Sequence, residues 1–138
     1  MANPPRYLDT NVLLRLLTRD DENKAARARA LLMRIERGDE RVVTSSLVVF
    51  EVVFTLQSFY KVPKGQIREM LLHLISMRAL GLAGKSVFRR AFDMYVDTAV
   101  SFADAYTVAA MEARGLREVY SWDLDFDHIP GITRVEPE

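Results

Sequence analysis

Short β-prone runs alternate with longer helical ones along this chain, and that alternation restricts the fold more than any other feature. Residues 7–8, 41–44, 79–83, 116–121 and 132–135 read as strands, the last of them an edge strand. Between them lie stretches whose apolar residues recur at helical spacing. This order points to an α/β fold with a parallel sheet. Right-handed crossovers then bring the carboxyl ends of the strands to one edge, which is where open parallel sheets bind ligands.

A length of 138 residues favours one domain, 1–138, around one core. No internal repeat or low-complexity linker divides it. With 49% hydrophobic and 28% charged residues, the composition is that of a soluble globular protein. No apolar run approaches the about 18 residues of a membrane helix. The start, Met1-Ala2-Asn3-Pro4-Pro5-Arg6, lacks the apolar stretch of a signal peptide, so a cytoplasmic protein is expected. The absence of cysteine excludes disulfides and thiolate metal sites. Lysine plus arginine balances aspartate plus glutamate at 19 each. Zero net charge argues against coating nucleic acid by bulk electrostatics, leaves room for a local basic rim, and favours association with a partner.

The first helix follows Asp9 and carries Val12, Leu13, Leu16 and Leu17 on one face. Asp20-Asp21-Glu22 makes a capped, acidic start for a second helix reaching about Gly38. Its core stripe is Ala28, Leu31, Leu32 and Ile35, and Arg27, Arg29, Arg34 and Arg37 lie off it on a solvated face. After Ser45 or Ser46, the run from Leu47 to Leu56 suits a strand by its β-branched content and a helix by its length to Tyr60. A helix is expected, apolar nearly all round and buried on most sides. Pro63 opens the next helix, where His73 lies beside the stripe and reads as structural. A further helix follows Gly84, with Phe88, Phe92, Tyr95 and Val96 as core and interface material. The last begins at Ser101-Phe102-Ala103-Asp104 and ends at Gly115.

Four acids occupy comparable places in this scheme. Asp9 follows one strand and Asp123 another. Glu51 lies a turn or two into a helix entered from a strand, and Asp104 is in the first turn of its helix. Each has an ordinary explanation. Asp9 or Thr10 can cap a helix. Ser101 and Asp104 have the spacing of a capping box. Glu51 can pair with a cation or reach solvent along one edge. Taken together, four carboxylates on one sheet edge would repel one another. Divalent cations relieve that repulsion, and hard oxygen ligands suit magnesium or manganese. Two such ions about 4 Å apart can clamp the attacking and leaving oxygens of a phosphodiester.

Other motifs fail. Asp123-x-Asp125-x-Asp127 begins like a calcium loop, but His128 replaces the glycine and Arg134 the final glutamate. A haloacid-dehalogenase-type phosphatase needs a second aspartate where this chain has Asn11. There is no glycine-rich phosphate loop with lysine, and no Ser-His-Asp order.

Four segments carry a resemblance over essentially the whole chain. They are Leu8-Asp9-Thr10-Asn11-Val12-Leu13-Leu14, Ser45-Ser46-Leu47-Val48-Val49-Phe50-Glu51, Phe102-Ala103-Asp104-Ala105 and Ser121-Trp122-Asp123-Leu124-Asp125-Phe126. The chain resembles PIN-domain ribonucleases of the VapC toxin type. The resemblance implies a PIN-like three-layer α/β/α sandwich with a central, mainly parallel β-sheet. It also implies Mg²⁺- or Mn²⁺-dependent hydrolysis of RNA to 5′-phosphate and 3′-hydroxyl ends. Asp9, Glu51 and Asp104 match the family's three acids, and Asp123 matches the fourth, with Asp127 in reserve. Thr10 and Ser121 match hydroxyl positions that brace the site, and Asn11 a polar neighbour. Asp9 and Asp104 would hold the main ion, Asp123 would help bind a second, and Glu51 would orient water or act as base. The implied partners are an RNA substrate, a cognate VapB-type antitoxin over the first two helices, and a second copy in a homodimer, with no membrane. A non-catalytic RNA-binding or regulatory α/β module is the alternative.

Overall fold

The computed structural model describes residues 4–138, so Met1, Ala2 and Asn3, part of the start read above for a signal peptide, lie outside the described residues. The chain forms two compact units, a first through Ala83 and a second from Gly84.

In the first unit, strands β1 (Arg6–Tyr7), β2 (Val42–Val43) and β3 (Leu80–Gly81) pair in parallel in that order. Four helices connect or follow them: α1 (Thr10–Thr18), α2 (Glu22–Glu36), α3 (Ser46–Ser58) and α4 (Lys64–Ile75). Local chemistry sets their ends. Asp21 accepts from the Lys24 N–H and starts α2, as the acidic triplet implied. Ser45 caps α3 by accepting from Val48. Pro63, without an N–H to leave unsatisfied, sits at the N-cap of α4. The strands are short and closely apposed. A Cβ on Gly81 would come 3.1 Å from Cγ1 of Val43, so the β2–β3 contact favours glycine there. Leu8, Leu13, Val42, Val49, Val52, Val53, Leu56, Ile67, Leu71 and Ile75 are among the buried side chains of this unit.

The ambiguous run after Ser45 is a helix, but the expectation that α3 is buried on most sides needs correction. Leu47 and Phe54 are 67% and 70% exposed, and Glu51 between them is exposed too. Positions 47, 51 and 54 share one face, while Val48, Val49, Val52, Val53 and Leu56 face α1 and α4. One side of the helix therefore stays open although its residues are apolar. Glu51 is accordingly a carboxylate that reaches solvent along that edge, the second of the two ordinary explanations weighed for it.

The second unit holds α5 (Lys85–Asp97), α6 (Phe102–Ala113), and strands β4 (Glu118–Tyr120) and β5 (Thr133–Val135), which also pair in parallel. A single 3₁₀ turn, Leu124–His128, links the two strands. Gly84 begins α5 with φ +76°, a left-handed backbone that suits glycine. Helices α5 and α6 pack through aromatic rings. Phe102 lies 4.6 Å from Phe92 and 5.5 Å from Tyr95 between ring centroids, and Tyr106 lies 4.9 Å from Phe88. Phe88, Phe92 and Tyr95 are fully buried, so these rings are core, and of the apolar α5 residues it is Val96 that stays exposed. No helix among the described residues is long and apolar enough to cross a membrane.

Candidate metal centre

In the first unit, β1 runs straight into Asp9. The ladder continues through Leu8, whose N–H donates to the Val43 carbonyl at 2.7 Å, and the Thr44 hydroxyl donates to the Leu8 carbonyl at 3.0 Å. The backbone that presents Asp9 is thus tied to β2 and the residue after it through both the N–H and the carbonyl of Leu8. Asp9 occupies the N-cap position of α1 with extended backbone, yet its side chain makes no capping hydrogen bond. It is an exposed carboxylate with no hydrogen bond or ion pair among the described residues. Thr10, the next residue, is buried, and its hydroxyl donates to Oε2 of Glu51 at 2.7 Å. Because β1 and β2 are parallel, the start of α1 and the start of α3 emerge on the same edge of the three-stranded sheet. That shared edge is what brings Thr10 and Glu51 together. Asn11 points away into a groove of about 640 Å³ between α1 and α2, lined also by Val12, Arg15, Arg27, Leu31 and Arg34.

In the second unit, Ser101 caps α6 by accepting from the Asp104 N–H at 3.1 Å. The half of a capping box that the serine supplies is therefore present, and the Asp104 carboxylate faces the loop after β4. That loop is tightly tied. The Ser121 hydroxyl accepts from the Asp123 N–H, and Oδ1 of Asp123 accepts from the Asp125 N–H, both at 2.9 Å. The second bond curls the chain into the 3₁₀ turn and swings Asp125 beside Asp123. One oxygen from each of Asp104, Asp123 and Asp125 lies within 4.8 Å of the others. Burial holds the Asp104 carboxyl above the ordinary carboxylate value, and the charges of Asp123 and Asp125 push it further the same way, against a hydrogen bond with Ser101 that lowers it.

Among the site residues expected from sequence, Asp9, Thr10 and Glu51 stand on one edge of the first unit, while Asp104, Asp123 and Ser121 gather in the second. Asp127, held in reserve as the fourth acid, turns elsewhere: Arg134 donates to both of its oxygens, at 3.1 and 3.4 Å. Asp125 takes the place beside Asp123. The sequence places it within a failed calcium loop and within the last of the four resembling segments, but assigns it no role. The signal that could have found it is the Asp-x-Asp pair itself, since an aspartate that bonds the N–H two residues on brings their side chains to one side.

The three carboxylates make a donor set of hard oxygens, which fits Mg²⁺ or Mn²⁺ and not a soft metal. A divalent cation would remove the mutual repulsion that helps raise Asp104.

An α/β chain of parallel strands with acids at the strand ends is the architecture of a PIN domain. The family model described as the PIN domain matches residues 6–132, and the chain belongs to that family. Its fold is therefore PIN-like, with parallel strands and flanking helices. The chain is similar to the VapC ribonuclease of Aquifex aeolicus (strain VF5), with 24% identity over 132 residues that cover 96% of each protein. Among solved structures, it is similar to VapC20 of Mycobacterium tuberculosis, a sarcin–ricin-loop-cleaving toxin. The identity is 20%, the TM-score is 0.41, and the match covers 95% of this chain and 98% of that one.

Proposed function

We propose that this protein is a Mg²⁺- or Mn²⁺-dependent endoribonuclease, the toxin of a toxin–antitoxin pair, hydrolysing RNA to 5′-phosphate and 3′-hydroxyl ends. The observation that carries the reading is the Asp104, Asp123 and Asp125 constellation, on a chain that belongs to the PIN-domain family. The similarity to a VapC ribonuclease across nearly its whole length supports the substrate class. We take residues 1–138 as one domain, since the family match runs through the boundary between the two units.

Asp104 and Asp123 would hold the cation, with Asp125 as a further oxygen donor. A bound divalent cation supplies Lewis acidity, lowering the pKa of a coordinated water and offsetting charge on the phosphate. Glu51 orients the attacking water or takes its proton. The Thr10 hydroxyl occupies Oε2, which fixes the carboxylate plane and leaves Oε1 to accept. Asp9, whose carboxylate no cap uses, is the remaining proposed metal ligand and catalytic acid. Ser121 braces Asp123 through its backbone.

The partners belong to the same proposal. The groove between α1 and α2, basic through Arg15, Arg27 and Arg34 and apolar through Val12 and Leu31, suits a VapB-type antitoxin segment with acidic and apolar side chains. The open apolar face of α3 suits a homodimer. A cytoplasmic location follows from that biology.

Purified protein freed of antitoxin should cut structured RNA with manganese or magnesium, and a chelator should stop it. Fragments should be substrates for enzymes that require a 3′-hydroxyl. If folded, metal-supplied protein binds RNA but leaves a broad panel intact, the non-catalytic binding module is the better description.

A further inference from the structure

We infer that Trp122, with Tyr120, forms a base-stacking platform that holds an unpaired nucleotide of the RNA beside the acidic cluster. This rests on the nuclease reading above. Trp122 is the sole tryptophan of the chain. It is 69% exposed, and Tyr120 is 77% exposed. Tryptophan is among the more buried residues on average, so a ring left this bare on a small α/β domain needs a reason. Neither ring contacts another ring among the described residues, whereas the aromatics of α5 and α6 pack together.

Their position is specific. Trp122 directly precedes Asp123, and Tyr120 ends β4. The backbone on either side of Trp122 is fixed. Ser121 N–H donates to the Val135 carbonyl at 3.0 Å, the Ser121 carbonyl accepts from Nη1 of Arg134 at 3.1 Å, and the Ser121 hydroxyl accepts from Asp123. On a fixed backbone the ring has only its two χ angles left to order on binding.

The chemistry also suits a base. The three carboxylates repel a polyanion until a cation is present, but they do not repel the neutral face of a heterocycle. Arg134, whose Nη1 reaches the Ser121 carbonyl, is already committed to Asp127 and Glu136. An uncharged contact adds affinity at this end of the unit without adding to the repulsion. Stacking supplies one, tolerates any base, and needs the base unpaired, so the platform selects single-stranded loops over duplex.

Because Trp122 is the only tryptophan, its emission reports on this contact alone. With the full-length protein and magnesium, rapid mixing with a single-stranded oligoribonucleotide should quench that emission before cleavage, and an oligonucleotide of equal charge carrying abasic positions should not. With manganese, Trp122→Ala should raise KM for a single-stranded substrate roughly tenfold with kcat little changed, and Trp122→Phe should restore KM. Tyr120→Ala should act in the same direction. Cleavage by wild type with an unchanged KM in Trp122→Ala and no quenching would overturn the platform while leaving the nuclease intact. A Trp122→Ala protein that loses self-association with unchanged KM would overturn it too, assigning the ring to a contact between copies. Failure of wild type to cut any RNA would remove the nuclease reading and the platform with it.

Discussion

The hydroxyl of Thr10 donates to Oε2 of Glu51 at 2.7 Å, joining the first turn of α1 to the second turn of α3 across 41 positions of sequence. Thr10 is buried and Glu51 is exposed, so the bond ties a solvent-facing carboxylate to a fixed point of the core. Thr10→Val keeps the shape and removes the donor. Its cost in stability should be about 1 kcal/mol, since Glu51 remains hydrated. Its effect on catalysis should be larger, with kcat reduced by on the order of tenfold because a general base loses its orientation. Thr10→Ser should recover most of the activity. Thermal melts beside kinetics on the two variants check this, and a Thr10→Val enzyme with wild-type kcat would detach Thr10 from Glu51's role.

Asp125 and Asp127 differ by two positions and should behave oppositely. Asp125 belongs to the acidic cluster, while Asp127 receives Arg134. Asp125→Asn should weaken manganese binding and leave the fold intact. Asp127→Asn should leave manganese binding unchanged and cost less than about 1 kcal/mol, because Asp127 is half exposed and Arg134 keeps Glu136 and the Ser121 carbonyl. Calorimetric titration with manganese and a melt of each variant decide it. The reverse pattern would return Asp127 to the site.

Much of the fold was legible because periodicity is a local property. Each expected strand run contains a shorter strand in the structure, the first overlapping only at Tyr7, and helices begin at caps read from sequence: Asp21, Ser101, and Ser45 of the Ser45 or Ser46 pair. The acids at element starts were legible for the same reason, since Asp9 follows β1 and Asp104 lies in the first turn of α6. What local pattern could not supply was direction. The apolar residues Leu47 and Phe54 look like their neighbours Val48 and Val53, and only tertiary packing separates the open face from the buried one. Asp125 was missed because its placement depends on the turn that the Asp123 carboxylate nucleates. Asp9 was open to a capping explanation that composition alone could not dismiss, and the absence of its capping bond is a fact of geometry.

The exposed face of α3 carries its own expectation. Leu47 and Phe54 flank Glu51 on a stripe that an isolated monomer would leave in water. If the proposed homodimer uses it, Phe54→Ser should shift the protein from dimer to monomer at micromolar concentration. The melting temperature measured at a concentration where wild type is also monomeric should hardly move, because a 70% exposed ring contributes little to its own fold. Sedimentation velocity on both proteins is the measurement. A wild type that is monomeric throughout, or a Phe54→Ser protein that remains dimeric, would remove α3 from the interface.

Asp104 links the site to stability without reference to any substrate. Its carboxyl is held above the ordinary value by burial, by Asp123 and by Asp125. The folded state therefore binds this proton more tightly than the unfolded chain does. The sign follows from linkage: at pH below the ordinary carboxylate value Asp104 is protonated in both states and carries no penalty. As pH rises from there through the raised folded value, the unfolded chain ionises first and stability falls. Above that window the penalty is constant. Asp104→Asn removes the charge with little change of shape, so without metal it should be as stable as wild type or more so at neutral pH, with a shallower loss across the window. Manganese should stabilise wild type by mass action, about 2.7 kcal/mol at a hundredfold excess over its dissociation constant. Asp104→Asn should lose most of that gain along with activity. Were Asp104 only part of a capping box, neutralising it at the start of α6 would destabilise the protein, and manganese would move neither melt. Four melting curves, wild type and Asp104→Asn with and without manganese, separate these cases. A variant that is less stable yet keeps the full manganese shift would take Asp104 out of the metal centre.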